Sequence, residues 1–231
     1  MRWLPWLLAL TSLDPPPAGD GTDFAPAREA MVATQIAARG VRDPLTLAAM
    51  RRVPRRLFVP AVSAGQAYDD HPVPIGHGQT ISQPYVVAFM TEALGLRGGE
   101  SVLEVGTGCG YQAAVLARIA ARVHTIEIVA PLAAEAAERL TRLGYANVTV
   151  RAGDGYVGWP EAGPFDAIVV TAAAPRVPEP LRQQLRDGGR LIVPVGDDWQ
   201  ELVLVTRRGE RFDERRVLPV RFVPMTGEIQ R

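Results

Sequence analysis

The sequence is poor in the side chains that most often carry covalent and metal chemistry. All 25 basic residues are arginine, and the absence of lysine excludes Schiff-base and lysine-nucleophile catalysis. A single cysteine, Cys109, excludes an internal disulfide and a cysteine-rich zinc site. His71, His77 and His124 show no metal-ligand spacing, so we expect no bound metal.

The charges balance. The 25 acidic and 25 basic residues give a net charge of zero, so no global field attracts nucleic acid or an anionic membrane. The cluster of arginines at 51–52 and 55–56 is therefore predicted to be a solvated or ion-paired face. A length of 231 residues with 47% hydrophobic content predicts one globular domain, which we expect to be monomeric.

The longest apolar run lies at the N-terminus, over residues 3–13 behind Arg2. It is too short to span a bilayer, but its length fits the apolar core of a signal peptide. No clean Ala-x-Ala cleavage site follows it, only Pro16-Pro17-Ala18. We therefore expect residues 1–23 to be an extension outside the fold and the protein to be cytoplasmic, with export as the alternative.

The sequence of residues 24–99 predicts several helices and one long loop. Helical spacing covers residues 27–38 and 43–51; Gly40 ends the first helix, and Asp43-Pro44 begins the second. Residues 68–83 are rich in glycine, proline and histidine and predict a functional loop. A third helix is predicted to begin at Pro84.

Beyond residue 100, apolar strands alternate with helices. The predicted strands are 101–105, 124–128, 147–151, 165–171, 190–195, 201–207, 211–218 and 221–223, with helices that include 178–185. Apolar runs in which hydrophobic and polar residues do not alternate, such as residues 167–170, are typical of parallel strands buried on both faces. We predict an α/β fold with a doubly wound, mostly parallel sheet. Its single domain, 24–231, divides into a substrate side, 24–99, and a cofactor-binding core, 100–231.

A glycine motif between a strand and a helix predicts the cofactor. The dinucleotide fingerprint requires a third glycine three residues after the second, and that position holds Tyr111. An acid two residues before the first of three alternate glycines is instead the pattern of S-adenosyl-L-methionine methyltransferases. The cofactor-binding residues predicted in this motif are Glu104, Gly106, Thr107, Gly108, Gly110 and Tyr111.

Acids after the next two strands extend the predicted site. Glu127 is placed to accept hydrogen bonds from both ribose hydroxyls; the alternative is a surface carboxylate. Asp154, followed by Gly155, is placed to accept from the adenine amino group; the alternative is a turn-forming Asp-Gly pair. Cys109 is predicted to fill space, and His71 and His77 to be structural, with substrate contact left open.

The segment from Tyr68 to Pro84 resembles the signature of protein-L-isoaspartate O-methyltransferases, in particular its run from Pro72 to Pro84. The similarity extends to the glycine motif, to Gly153-Asp154-Gly155 and to residues 221–226, and covers most of the chain. The resemblance implies a class I S-adenosylmethionine-dependent methyltransferase (Rossmann-like) fold with an N-terminal substrate segment of helices and loop.

The resemblance also implies an activity. It is protein repair, in which the methyl group of S-adenosyl-L-methionine passes to the α-carboxylate of L-isoaspartyl residues in damaged proteins. It further implies that Ser82 is the active-site residue, although a hydroxyl before Pro84 could also serve as a helix N-cap. The substrate-binding residues implied in the same way are Thr80, Ile81, Gln83 and Thr226.

Two other functions remain open at this point. A methyltransferase acting on RNA or a small molecule would keep the glycine motif, but residues 171–175 lack the Asn/Asp-Pro-Pro-Tyr motif of amino-directed enzymes. A non-enzymatic binding module would have no need of Glu127 and Asp154 together with an intact glycine turn.

Overall fold

The computed structural model describes residues 24–230, and the predicted extension 1–23 lies outside them. The α-helices are α1 (Ala25–Ala30), α2 (Pro44–Arg52), α3 (Pro84–Leu94), α4 (Tyr111–Ala117), α5 (Ala130–Arg142) and α6 (Glu179–Gln183). The strands are β1 (Val73–Gly76), β2 (Gln79–Ile81), β3 (Ser101–Val105), β4 (Arg122–Glu127), β5 (Val148–Ala152), β6 (Phe165–Val170), β7 (Leu185–Val195), β8 (Gln200–Arg208) and β9 (Arg211–Val220). No helix in residues 24–230 is both long and apolar enough to cross a membrane.

One sheet organises the domain, in the order β5-β4-β3-β6-β7-β8-β9. Its pairs from β5 to β7 are parallel, whereas the β7–β8 and β8–β9 pairs are antiparallel. This order confirms the predicted doubly wound, mostly parallel sheet. The strand order reverses beside β3, and such a switch point leaves a crevice at the carboxyl ends of the strands where ligands bind.

Apolar layers cover both faces of the sheet. Val102 of β3 packs into one buried cluster with Met90 of α3 and Leu116 of α4. Its neighbour Leu103 packs into the other cluster with Leu181 of α6. Because successive side chains of a strand point to opposite faces, a strand buried on both sides needs apolar residues without alternation.

The predicted helix 27–38 is divided into three pieces. Helix α1 passes into a π-helix at Met31–Ile36 and then a 3-10 turn at Ala37–Arg39. Met31 and Ile36 are both buried, and their five-residue spacing matches the i→i+5 repeat of a π-helix. Gly40, with a φ of 100°, ends this segment as predicted, and the Asp43 carboxylate caps α2 through the Thr46 N–H at 2.8 Å.

The predicted loop 68–83 contains an antiparallel hairpin of β1 and β2. Its turn consists of Gly76, His77 and Gly78, which all have positive φ values. The strands are four and three residues long, and β1 includes Pro74. Strands this short offer too few positions for alternation to identify them, so the loop prediction was wrong there.

Two other predicted boundaries were wrong at the far end of the sheet. The helix predicted over 178–185 is the shorter α6, because Leu185 already pairs with Phe165 as the first residue of β7. The predicted edge strands 211–218 and 221–223 are replaced by β9, which runs to Val220. Residues 221–223 leave the sheet and form part of a cavity wall.

Candidate functional site

The glycine turn between β3 and α4 has a backbone that other residues would strain. Gly106, Gly108 and Gly110 have φ values of 97°, 53° and 88°. A Cβ atom on Gly106 would collide with the hydroxyl oxygen of Thr171. One on Gly110 would press on Leu140 of α5, so this third glycine serves helix packing.

Glu127 ends β4 beside this turn and is buried. Its Oε2 accepts a hydrogen bond from the Gly108 N–H at 2.7 Å, and its Oε1 accepts from the Val129 N–H at 2.9 Å. The carboxylate therefore holds the glycine turn and the start of α5 in place. Each carboxylate oxygen keeps a lone pair for a further donor.

Glu104 is the fourth of the five residues of β3 and is fully buried. Its Oε2 accepts from the Thr125 hydroxyl at 2.5 Å, and Thr125 is in turn 2.6 Å from the Thr107 hydroxyl. Its Oε1 has no hydrogen-bond partner among the described residues. Burial, followed by the repulsion of Glu127, raises the pKa of the Glu104 carboxyl to about 8.

Asp154 follows β5, but both of its carboxylate oxygens are bound to backbone. Oδ1 accepts from the Tyr156 N–H at 2.9 Å, and Oδ2 accepts from the Glu228 N–H at 2.7 Å. The side chain thus caps a 3-10 turn and anchors a segment 74 residues further along the chain. Gly155 is packed so closely that a Cβ atom would collide with Val105.

The segment from β2 to α3 brings the predicted substrate residues to the same edge of the sheet. Ile81 is buried, while Ser82 and Gln83 are half-buried. The N-cap position of α3 is Gln83, with Pro84 as the first helical residue. The alternative that Ser82 caps this helix was therefore wrong.

Three adjoining cavities connect these elements, and Thr80 and Thr171 line all three. The strand-end cavity lies at the ends of β3 and β4 and is also lined by Gly106, Gly108, Glu127, Gly155 and Thr226. The glycine-turn cavity is also lined by Ile81, Ser82, Glu104, Gly106, Thr107, Gly108 and Tyr111. The outer cavity, of about 290 Å³, is also lined by Arg39, Ser82, Gln83 and Arg221. Asp154 and Gly110 line none of the three.

Sequence reasoning missed Thr171, which follows β6 where all three cavities meet. Its hydroxyl donates to the Gly106 carbonyl at 2.6 Å, so it also supports the glycine turn. The rule that selected Glu127, a polar residue at the carboxyl end of a strand, would have found it. Arg39 and Arg221 of the outer cavity were missed because no local pattern joins them.

Of the remaining candidates, His71, His77 and Arg51 lie outside the three cavities, whereas Cys109 lines the glycine-turn cavity. The His71 Nε2 is 3.7 Å from Asp69, and the His77 Nε2 is 3.9 Å from Glu135. Burial raises the pKa of the Cys109 thiol. Arg51 is ion-paired with Glu29 at 3.0 Å, as expected for a surface residue.

Arg55 departs from the predicted solvated face, because its side chain is fully buried. Its Nε donates to the Ala67 carbonyl at 2.7 Å, and its guanidinium lies 4.9 Å from the centre of the Tyr111 ring. Burial lowers the pKa of this group. The prediction of an exposed cluster was therefore wrong at this position.

Comparison with known proteins places this geometry in a family. The family model for protein-L-isoaspartate(D-aspartate) O-methyltransferase matches residues 27–230. Protein-L-isoaspartate O-methyltransferase 2 of Shewanella sediminis is 54% identical over 213 residues, which cover 91% of this chain and 87% of the relative.

Solved structures agree with the sequence relatives. A protein-L-isoaspartate O-methyltransferase structure matches with a TM-score of 0.81 and 32% identity, covering 87% of this chain and 67% of the other. A Plasmodium falciparum chain assigned to the same enzyme class, solved with S-adenosyl-L-homocysteine, matches with a TM-score of 0.74 and 26% identity over 86% of this chain and 98% of its own length. The chain belongs to the protein-L-isoaspartate(D-aspartate) O-methyltransferase family.

Proposed function

We propose that the three adjoining cavities carry out the reaction of this family, with the cofactor along the glycine turn and the isoaspartyl residue in the outer cavity. Family membership makes the chain a protein-repair methyltransferase that uses S-adenosyl-L-methionine and acts on isoaspartyl proteins. One observation carries the assignment of residues: Thr80 and Thr171 line all three cavities, so the cofactor and substrate sides meet at these two side chains.

The residues of the strand-end cavity suit an adenosine. The Glu127 oxygens keep lone pairs for the two ribose hydroxyls, a charge-assisted contact. Gly106 and Gly155 line this cavity, and their lack of a Cβ atom lets Thr171 and Val105 pack against the backbone there. The adenine contact of Asp154 stays a prediction, because both of its oxygens already accept backbone N–H groups.

The glycine-turn cavity suits the amino-acid end of the cofactor. Its wall includes Glu104 with one oxygen that lacks a partner among the described residues, and this oxygen can accept from an ammonium group. Bound there, the cofactor would supply a methyl group carried by a sulfonium sulfur. When a carboxylate oxygen takes this methyl group, the sulfur is left as a neutral thioether.

The chain's own part in the reaction is alignment. A carboxylate is ionised at neutral pH, so no residue has to remove a proton from the nucleophile. Ser82 lines both the glycine-turn and the outer cavity, which supports the proposal that it holds the attacking carboxylate toward the methyl group. Thr80, Ile81, Gln83 and Thr226 complete the proposed substrate contacts.

A paired measurement tests this proposal. Calorimetry with S-adenosyl-L-homocysteine is followed by methyl transfer to an isoaspartyl peptide and to its normal aspartyl twin. We expect binding, and methylation of the isoaspartyl peptide alone. Binding without methylation of either peptide would favour another methyltransferase class, and absence of binding would favour a non-enzymatic module.

Three further parts of the proposal concern the whole protein. We propose that residues 24–231 form one methyltransferase domain, that the protein is a monomer without a nucleic-acid partner, and that it is cytoplasmic. The neutral net charge and the poor cleavage site after residue 13 support these assignments. Light scattering tests the monomer, and N-terminal sequencing tests the location: a mature chain that starts near Gly19 would overturn the latter.

A further inference from the structure

Glu104 differs from the other carboxylates of the site in its surroundings. It is fully buried, one oxygen accepts from Thr125, and the other has no partner among the described residues. Glu104 is also the one carboxyl group among the residues that line the glycine-turn cavity.

Among residues 24–230, the groups that face Glu104 from neighbouring elements provide hydrogen-bond donors but no counterion. The Thr125 hydroxyl and the Ala113 backbone of α4 lower the pKa of Glu104, whereas the charge of Glu127 at the end of β4 raises it. Cys109 of the turn and Tyr111 of α4 line the same cavity, and burial raises the pKa of each, so both stay uncharged. The hairpin and the end of β6 contribute hydroxyl groups, from Thr80, Ser82 and Thr171, and α3 contributes Val87.

An ionised Glu104 in these surroundings would be a buried charge without a counterion, which is costly. Burial and the charge of Glu127 raise the pKa of its carboxyl to about 8, so the acid form predominates at neutral pH. A cation that enters the cavity reverses this balance. An opposite charge within about 4–6 Å favours the ionised form and lowers a carboxyl pKa by roughly 1–3 units.

We propose that Glu104 is a proton-coupled positioning residue: it keeps its proton until the cationic amino-acid end of the cofactor enters the glycine-turn cavity, and releases the proton to solvent on binding. This inference rests on the proposed placement of S-adenosyl-L-methionine. When the cofactor binds, the O–H bond of the Glu104 carboxyl group breaks, the proton goes to the buffer, and the carboxylate pairs with the ammonium group of the cofactor. The site thereby avoids an unpaired buried charge in both states.

Titration calorimetry counts the released protons. Wild-type protein is titrated at pH 7 with S-adenosyl-L-homocysteine, which retains the ammonium, in two buffers of different ionisation enthalpy. A carboxyl with a pKa of about 8 is roughly nine-tenths protonated at pH 7, so a lowering of roughly 1–3 units on binding should release about 0.4–0.9 protons for each ligand bound. Binding with no difference between the buffers would overturn the inference and leave the proposed function standing. Failure of the ligand to bind would overturn the proposed function itself.

The pH dependence of affinity gives a second readout. Because the ionised form binds the ligand more tightly, a pKa lowered by roughly 1–3 units predicts that the dissociation constant falls by about threefold to twentyfold in total between pH 6 and pH 7.5. Glu104→Gln, which is isosteric and cannot titrate, should release no proton and bind with a nearly flat pH dependence. Glu138→Gln, an exposed change on α5, should behave like wild type. A Glu104→Gln protein with the wild-type slope would refute Glu104 as the source.

Infrared difference spectra identify the proton without any substitution. Ligand binding to wild-type protein should remove the C=O band of a protonated carboxyl group. This measurement decides the question even where the Glu104→Gln variant folds poorly. An unchanged carboxyl band at full ligand occupancy would contradict the proposal.

Discussion

Replacing Glu127 with alanine should weaken cofactor binding and, separately, destabilise the protein without cofactor. The affinity effect comes from the ribose, whose two hydroxyls lose a charged acceptor. Hydrogen bonds to a charged group contribute about 1.5–3 kcal/mol, so the dissociation constant should rise by roughly tenfold to 150-fold. This part of the prediction follows from the position of Glu127 at the end of β4.

The stability effect comes from the contacts within the protein. The N–H groups of Gly108 and Val129 donate to the carboxylate at 2.7 and 2.9 Å, and both lose their acceptor in the variant. Because water can partly replace the lost acceptor for these two N–H groups, we expect the free energy of unfolding to fall by about 2 kcal/mol in total. For a domain of this size, such a loss lowers the melting temperature by roughly 4–8 °C.

The two effects are measured separately. Calorimetry with S-adenosyl-L-homocysteine gives the affinity, and thermal denaturation without ligand gives the stability. Glu138→Ala is the control, because Glu138 is exposed on α5 and pairs with the exposed Arg142, at 3.5 Å. A dissociation constant that changes less than twofold would refute the ribose contact. An unchanged melting temperature would refute the conclusion that Glu127 stabilises the glycine turn.

Four further outcomes are expected. Gly106→Val should abolish S-adenosyl-L-homocysteine binding, because its side chain collides with Thr171 and strains the turn; measurable affinity in calorimetry would contradict the need for glycine at this position. Ser82→Ala should lower turnover by on the order of a hundredfold with little change in melting temperature, and Ser82→Asp should be worse; near-normal turnover would remove Ser82 from the catalytic role. Asp154→Ala should lower the melting temperature and affinity together, since it releases the Glu228 segment; lost affinity at unchanged stability would instead support the direct adenine contact. With saturating cofactor, the rate of isoaspartyl methylation should not change with pH from about pH 6 to 8. A rise of the rate with pH in that range would indicate a general base.

Local patterns in the sequence were sufficient for the core of the site. The three alternate glycines and the preceding Glu104 predicted a ligand-binding turn, because only glycine adopts positive φ values at so little cost. Uninterrupted apolar runs predicted parallel strands, and the rule for strand ends then selected Glu127. Each of these inferences depends on residues within about one strand and one turn of each other.

Elements that depend on distant partners were misread or missed. The hairpin of β1 and β2 is too short to show a period, and the antiparallel β7–β9 edge extends beyond its apolar segments through strand pairing. Arg55 looked like part of an exposed basic cluster, yet the packing of α4 buries it beneath Tyr111. In each case the neighbour that decides the structure lies far away in the sequence.

The sequence by itself determined the cofactor class, the sheet and the glycine turn, since these follow from backbone conformational preferences and short-range periodicity. Only the tertiary structure decided which side chains become neighbours in the site. It joined Thr171 to Gly106, directed the Asp154 carboxylate to Glu228, and left one oxygen of Glu104 in the cavity wall without a partner among residues 24–230. Those outcomes depend on which side chains become neighbours once the chain is packed, because burial and hydrogen bonding are properties of the assembled surroundings and not of a residue's neighbours in sequence.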